Sequence, residues 1–300
     1  MRWTEAEIGD QGGRTFLVTG ANSGLGYETS RALLAKGARV IMAVRNEAKG
    51  RAALETLPAR QHAELRIVDL ADLDTVRRLA ADLRRDRVAI DVLINNAGVM
   101  MPPRTLSAQG HELQFAANHL GHFALTGLLL DLIGDRVVTV SSSLHRSGSI
   151  HYDDLDGAKS YSPAKYYSQS KFANVLFALE LDRRLRAAGS PVRSVLAHPG
   201  YSATNLQTSG PTGVMKAFMR IGNAVMAQSA ARGALNQLYA AVDPGAEGGQ
   251  FIGPDGMGES RGWPTVVQPV EAAKDPADAQ RLWTLSEQLT GVQFEVARSR

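Results

Sequence analysis

Tyr167 and Lys171 stand four residues apart, and on a helix that spacing puts both side chains on one face, a turn from each other. An ordinary phenol has a pKa near 10. An ammonium beside it favours the phenolate, making the pair a candidate proton donor and acceptor for an alcohol–carbonyl couple. Lowering the phenol by about three units takes roughly 4 kcal/mol of differential stabilisation. By composition Tyr-x-x-x-Lys arises by accident in roughly one such chain in six, so the pair needs company. The same spacing recurs at Tyr161 and Lys165, but Pro163 between them disfavours a continuous helix and hence the alignment. A second constellation is Thr19-Gly20-Ala21-Asn22-Ser23-Gly24-Leu25-Gly26, lying between an apolar run and a helical pattern. Glycines there permit a tight turn and let backbone N–H groups approach a pyrophosphate at a helix N-terminus. A third is Arg45, at the end of the second apolar run. An NAD site usually has a carboxylate there to accept from the ribose 2′-hydroxyl, whereas an arginine can pair with a 2′-phosphate. NADP(H) is therefore preferred, with NAD(H) as the alternative if Arg45 merely points into solvent.

The elements that must position these residues alternate. Short apolar runs at 15–19, 39–44, 65–68, 92–94, 136–140, 194–197 and 250–252 are separated by helical stretches, including 27–36 and a long one at about 168–186. Strands alternating with helices imply a parallel sheet, and unbroken apolar runs imply one covered on both faces. The expected fold is a single-domain, doubly wound α/β Rossmann fold of about seven strands. A cofactor-binding half would span about 12–140 and a catalytic and substrate half about 141–255. A lid-like segment would lie at about 205–228 and a C-terminal extension at about 256–300.

Composition closes off other chemistries. The 300 residues are 44% hydrophobic and 21% charged with net charge +3, an ordinary globular balance. With no cysteine, disulfides, thiolate catalysis and cysteine-ligated metal sites are excluded. The arginine-rich stretch 77–87 has acids inside it and reads as a solvated helix face, not a nucleic-acid surface. No apolar run approaches the ~18 residues of a membrane span, and the acidic start MRWTEAEIGD is unlike a signal peptide, so no membrane anchor and a cytoplasmic location are expected. His119, His122, His145, His151 and His198 lack the tight pattern of a metal site, and His119 and His122 read as packing or surface residues.

Taken together, these residues resemble the short-chain dehydrogenase/reductase family. TGANSGLG at 19–26 looks like its cofactor loop, Asp69-Leu70 like its adenine-contacting pair, and Asn95-Asn96-Ala97-Gly98 like its NNAG motif. Ser142 falls where the family's catalytic serine follows the fifth strand, Tyr167-x-x-x-Lys171 resembles the active-site pair, and Pro199-Gly200 through Thr204 the nicotinamide-side segment. NHLGHF at 118–123 and SQSKFANVLF at 168–177 are similar to the retinol-dehydrogenase-like branch, which includes protochlorophyllide reductases. The gap between Ser142 and Tyr167 exceeds that of the shortest members but is usual in this branch.

The resemblance implies cofactor contacts from Gly20, Asn22, Ser23, Gly24, Leu25, Gly26, Arg45, Asp69, Leu70, Asn96, Ala97, Gly98, Tyr167, Lys171, Pro199, Gly200 and Thr204. Tyr167 would be the general acid/base, Lys171 would lower its pKa and bind ribose, and Ser142, the second of three serines, would hold the substrate oxygen. Asn118 would support a proton relay through water. The branch implies an apolar alcohol, aldehyde or ketone as substrate. Leu144, Tyr161 and Tyr201 are candidates to contact it, beside the Met-rich stretch that includes Met215, Phe218, Met219 and Met226. The lack of cysteine departs from protochlorophyllide reductases and argues against their photochemistry. The helix near 168–186, with Phe177 left over from its sheet-facing stripe, points to a homodimer or homotetramer. A non-catalytic NADP-binding sensor or scaffold on the same fold is the competing reading.

Overall fold

The computed structural model describes residues 2–201 and 228–295. Thr204 and nearly all of the expected lid-like segment fall outside them.

Strand β1 (Thr15–Thr19) leads into helix α1 (Gly24–Ala35), β2 (Arg39–Val44) into α2 (Glu47–Glu55), and β3 (Ala63–Ile67) into α3 (Leu73–Arg85). After β4 (Ile90–Asn95), the consecutive segments Leu113–Phe115, Ala116–Leu120 and Gly121–Leu129 follow one another as helix α4, whose middle segment is a π-helical turn. Then come β5 (Ile133–Val140), α5 (Pro163–Ala187), β6 (Arg193–Ala197), α6 (Ala230–Val242), β7 (Phe251–Pro254), β8 (Pro264–Val267) and α7 (Pro276–Thr290).

The sheet order is β3-β2-β1-β4-β5-β6-β7-β8. The chain reverses direction across the sheet between β1 and β4, the switch point where such sheets open a crevice at their carboxyl ends. Register makes that crevice specific: Val18 lies beside Met42 on one side and Ile94 on the other, so the segments after β1, β2 and β4 emerge level with one another.

Alternate strand residues feed two cores. Leu17, Ile41, Leu93 and Val137 pack with α3, α4 and α5, whereas Phe16, Val18, Met42 and Ile94 pack with α1 and α6. Both faces are therefore covered, as the unbroken apolar runs require.

Three expectations change. The sheet has eight strands, because Pro264–Val267 adds antiparallel to β7 at the edge. The edge strand β3 is only partly buried; its Glu64 and Arg66 form ion pairs with Arg39, Asp86 and each other. Phe177 is not left over for a partner subunit. It is 3% exposed, with the rings of Phe123, Trp283 and Phe294 5.5, 5.9 and 6.2 Å away, because the C-terminal extension folds back as α7 over the face shared by α4 and α5.

Candidate active site

Thr19 closes β1 and organises the crevice floor. Its Oγ1 accepts from the backbone N–H groups of Asn96 and Ala97, both at 2.9 Å, while Asn96 Nδ2 donates to the Thr19 carbonyl at 2.7 Å. Gly20 follows at φ +68°, and a Cβ there would lie 3.0 Å from the Ala97 backbone. A Cβ on Gly26 would lie 2.4 Å from the Gly20 carbonyl oxygen, so Gly26 serves the packing of α1 on the loop. The Ser23 side chain makes no capping bond, and Tyr27 is the first N–H to bond back, to the Ser23 carbonyl at 3.3 Å. The N–H groups of the first turn and the positive end of α1 are thus available to a phosphate. With a cradle that only glycine leaves open, these residues fit a dinucleotide.

The crevice holds a cavity of about 550 Å³. Its walls bring together Gly20, Asn22, Ser23, Gly24, Leu25, Arg45, Asp69, Leu70, Asn96, Ala97 and Gly98. Gly26, Tyr167, Lys171, Pro199 and Gly200 are not among its walls. Further wall residues escaped the sequence reading, among them Asn46 and Lys49. Asn46 caps α2 by accepting from the Lys49 N–H at 2.9 Å, which places Lys49 one turn beyond Arg45. The signal available in the sequence was this spacing across a strand–cap–helix junction. Both cations are exposed and have no ion-pair partner among the described residues. The nearby Glu47 is paired with Arg51 at 2.6 Å.

At the other end, Pro163 occupies the first turn of α5. Tyr161 therefore lies outside the helix, and Tyr167 and Lys171 lie on it, both buried. Lys171 Nζ sits 5.8 Å from the Tyr167 ring centroid and donates to the Val140 carbonyl at 3.2 Å. Of the three serines, Ser141 turns inward and donates to the Lys171 carbonyl at 2.8 Å, whereas the Ser142 hydroxyl faces Tyr167 and accepts from the Leu144 N–H at 3.2 Å.

Asn118 sits in the π-helical turn, a local widening common at functional positions. Its Oδ1 accepts from the Val99 N–H at 2.7 Å, and its Nδ2 donates to the Val99 carbonyl at 3.0 Å and to Ser170 Oγ at 2.9 Å. A Cβ on Gly98 would lie 3.1 Å from Asn118 Oδ1 and 3.7 Å from Lys171 Nζ. Gly98 is thus the point where the nucleotide cavity meets Asn118 and Lys171.

The electrostatics of the pair are set by burial. Burial pushes the Tyr167 phenol up to about 12, with the Ser142 hydroxyl pulling the other way, and burial pulls Lys171 down to about 8. Desolvation penalises both charged forms. Burial alone therefore favours the protonated phenol at neutral pH.

His122 is a second residue the sequence undervalued. It is buried, as a packing residue would be, but it also bridges two parts of the site. The Asn118 carbonyl can only accept, so His122 Nδ1, 3.0 Å away, carries the proton, and Nε2 accepts from Thr19 Oγ1 at 2.9 Å. Burial, which lowers His122 to about 4, keeps that neutral tautomer in place. His119 is buried and bonded to Ser286 Oγ at 2.8 Å on α7.

The candidate substrate residues lie apart in role. Leu144 is 39% exposed on the turn after Ser142. Tyr161 spends its hydroxyl on the Pro102 carbonyl, Glu112 and Gln114, each at 3.1 Å, bracing the loop that ends the cavity wall. Tyr201 donates its N–H to the Ser260 carbonyl at 2.8 Å, fixing the turn that follows Pro199-Gly200.

The family model described as short chain dehydrogenase matches residues 14–213. The chain belongs to that family. The members of the short-chain dehydrogenase family are oxidoreductases, and the curated relatives agree over nearly the whole length. The chain is 39% identical to human retinol dehydrogenase 14, covering 95% of this chain and 89% of the relative. It is 36% identical to polyprenol dehydrogenase of Mus musculus, covering 94% and 85%. A crystal structure of an uncharacterized protein from Mycobacterium Paratuberculosis is 47% identical and superposes with a TM-score of 0.84 over 98% of this chain and 100% of that one. Among the described residues of this short-chain dehydrogenase, no helix is long and apolar enough to cross a membrane.

Proposed function

We propose that this chain is an NADP(H)-dependent oxidoreductase that interconverts an apolar alcohol and its aldehyde or ketone by hydride transfer. The observation that carries the reading is the convergence at Gly98: the cavity lined by the glycine loop on one side, Asn118 and Lys171 on the other, with Tyr167 one turn from Lys171 and Ser142 facing its phenol. When bound, the nicotinamide supplies or accepts the hydride. Tyr167, protonated at neutral pH, gives its proton to the developing alkoxide in reduction and takes it back in oxidation. Ser142 donates a hydrogen bond to the same oxygen. Lys171 binds the nicotinamide ribose and biases the phenol once charge develops there. Asn118 has both side-chain groups committed to Val99 and Ser170, so its part in a relay falls to its backbone carbonyl, already shared with His122.

Arg45 and Lys49, two cations on the cavity wall with no ion-pair partner among the described residues, support a 2′-phosphate partner and so NADP(H). An apolar substrate is supported by the Val99, Met100, Pro102, Leu113 and Ala117 wall and by the alcohols that name the relatives.

Titration with NADPH and NADH, followed by nicotinamide fluorescence, tests the cofactor. NADPH is expected to bind at least tenfold tighter, and Arg45→Asp to erase or invert the difference. Equal binding in the wild type would overturn the assignment in favour of NAD(H). Tyr167→Phe is expected to lower turnover of apolar aldehydes at least 100-fold while leaving NADPH affinity within about twofold. Binding of NADPH without turnover on any aldehyde or ketone would instead indicate a sensor or scaffold.

A further inference from the structure

The turn carrying Ser142 and the turn at Pro199-Gly200 come from different strands, β5 and β6, yet both are held by one segment far along the chain, residues 257–270. Glu259 is the side chain that reaches both. One carboxylate oxygen accepts from Arg146 Nη2 at 2.6 Å, and the other lies 3.0 Å from His198 Nε2. Arg146 belongs to the short 3₁₀ turn Ser143–Ser147 immediately after Ser142, and its guanidinium also donates to the Gln268 carbonyl at 2.9 Å. His145 on that turn lies 2.7 Å from the Ser142 carbonyl through Nδ1 and accepts the Val270 N–H at 3.2 Å through Nε2. The Ser142 backbone is thus gripped through two neighbours, both tied to the same C-terminal segment.

The other arm is more buried. His198 is 0% exposed, at the end of β6, and the Gly200 N–H donates to its Nδ1 at 3.3 Å. That fixes the tautomer: Nε2 carries the proton and donates to Glu259. Room for this contact is built into the sheet. A Cβ on Gly253 of β7 would lie 2.3 Å from His198 Nε2, and a Cβ on Gly200 would lie 2.5 Å from the Ser260 carbonyl. Glu259 itself is held at φ +53°, a backbone region that side-chain-bearing residues seldom occupy, directly after Gly258 at +62°. A rim salt bridge would need neither a strained backbone nor a buried imidazole partner. The hydrogen bonds from His198 and Arg146 hold the Glu259 carboxyl down to about 2, so the clamp stays charged at any assay pH.

We infer that Glu259 is a positioning residue that locks the Ser142 turn to the Pro199-Gly200 turn and so sets the geometry in which the substrate oxygen meets Ser142 and Tyr167. The inference rests on the functional reading above, and the test separates the two. Glu259→Gln keeps the shape but loses the charged grip on Arg146. Arg146→Gln, on an exposed side chain, severs the serine arm alone and stands in if the first variant folds poorly. Each variant is made in the wild-type and Ser142→Ala backgrounds and assayed for single-turnover reduction of decanal with saturating NADPH, NADPH affinity, and amide hydrogen exchange of residues 142–148 and 199–201.

Acting through Ser142, Glu259→Gln is expected to lower the reduction rate about tenfold in the wild-type background and less than twofold beside Ser142→Ala. NADPH affinity should stay within twofold, and exchange should rise at least tenfold in both peptides. Equal losses in both backgrounds, or exchange unchanged in either peptide, would overturn the inference. A wild-type protein that binds NADPH but reduces no aldehyde would overturn the functional reading instead, with exchange still deciding whether Glu259 holds the turns.

Discussion

At Lys171 the protein has placed an ammonium where burial works against it. Its pKa is pulled to about 8, below the ordinary lysine range, so over the window from about 8 to 10.5 the unfolded chain holds a proton that the native chain has lost. The sign follows directly: stability rises with pH through that window, and below pH 8 the native state carries the full penalty, at most about 3 kcal/mol. Lys171→Met should therefore raise the denaturation free energy at pH 7 by up to about 3 kcal/mol, with the gain vanishing above pH 10.5, while abolishing turnover. Urea denaturation of both proteins at pH 7 and pH 10.5 measures it; a destabilised variant at pH 7 would contradict the assignment. Stability given up at a working residue is what a functional lysine, unlike a structural one, is expected to show. The pair Tyr167 and Lys171 was legible in the sequence because its spacing is local and Pro163 rejected its competitor. What spacing could not give was the balance between burial and attraction, since that depends on everything packed around both groups.

Among the elements, the junction of β1 with the segment after β4 bears most of the site. Thr19 Oγ1 accepts two backbone N–H groups and gives its own hydrogen to His122, so one hydroxyl couples the glycine loop, the NNAG segment and the π-helical turn of α4. Thr19→Val keeps the shape but leaves the half-buried Ala97 N–H and the buried His122 Nε2 without their partner, each worth about 1–3 kcal/mol, whereas the Asn96 N–H keeps the Ile94 carbonyl. A loss of 2–4 kcal/mol in unfolding free energy, together with NADPH affinity weakened at least tenfold, is expected from denaturation and fluorescence titration. A change in stability without a change in affinity would show that the junction does not shape the cofactor floor. The glycine loop and NNAG were readable because each is contiguous. The coupling through Thr19 and His122 was not, for these residues are separated by the whole first half of the sheet. Lys49 lies between these cases: it is near Arg45 in sequence, but only the Asn46 cap turns that nearness into a shared wall.

For the whole molecule, the α/β alternation foretold the doubly wound parallel sheet and both covered faces, whereas the C-terminal extension gave little sign of its work. β8 is four residues long and α7 has a modest apolar stripe, yet α7 supplies Trp283 to the cluster of Phe123, Phe177 and Phe294. Trp283→Ala should cost about 3–5 kcal/mol and lower the melting temperature by several degrees or more. Because the removed ring also covers α4 and α5, sedimentation of the variant should show self-association beyond that of the wild type. A variant as stable as the wild type would mean that α7 merely rests on the surface.

The two borders of the sheet have a consequence for the protein in concentrated solution. At one, Arg39, Glu64, Arg66 and Asp86 hold each other in ion pairs along β3, and a strand arriving there would have to displace or desolvate them. At the other, β8 is short, runs against its neighbour and opens on Pro264, which has no N–H to offer a newcomer. Neither border is a template on which another chain could continue the ladder, so templated growth into fibres is denied its two starting points.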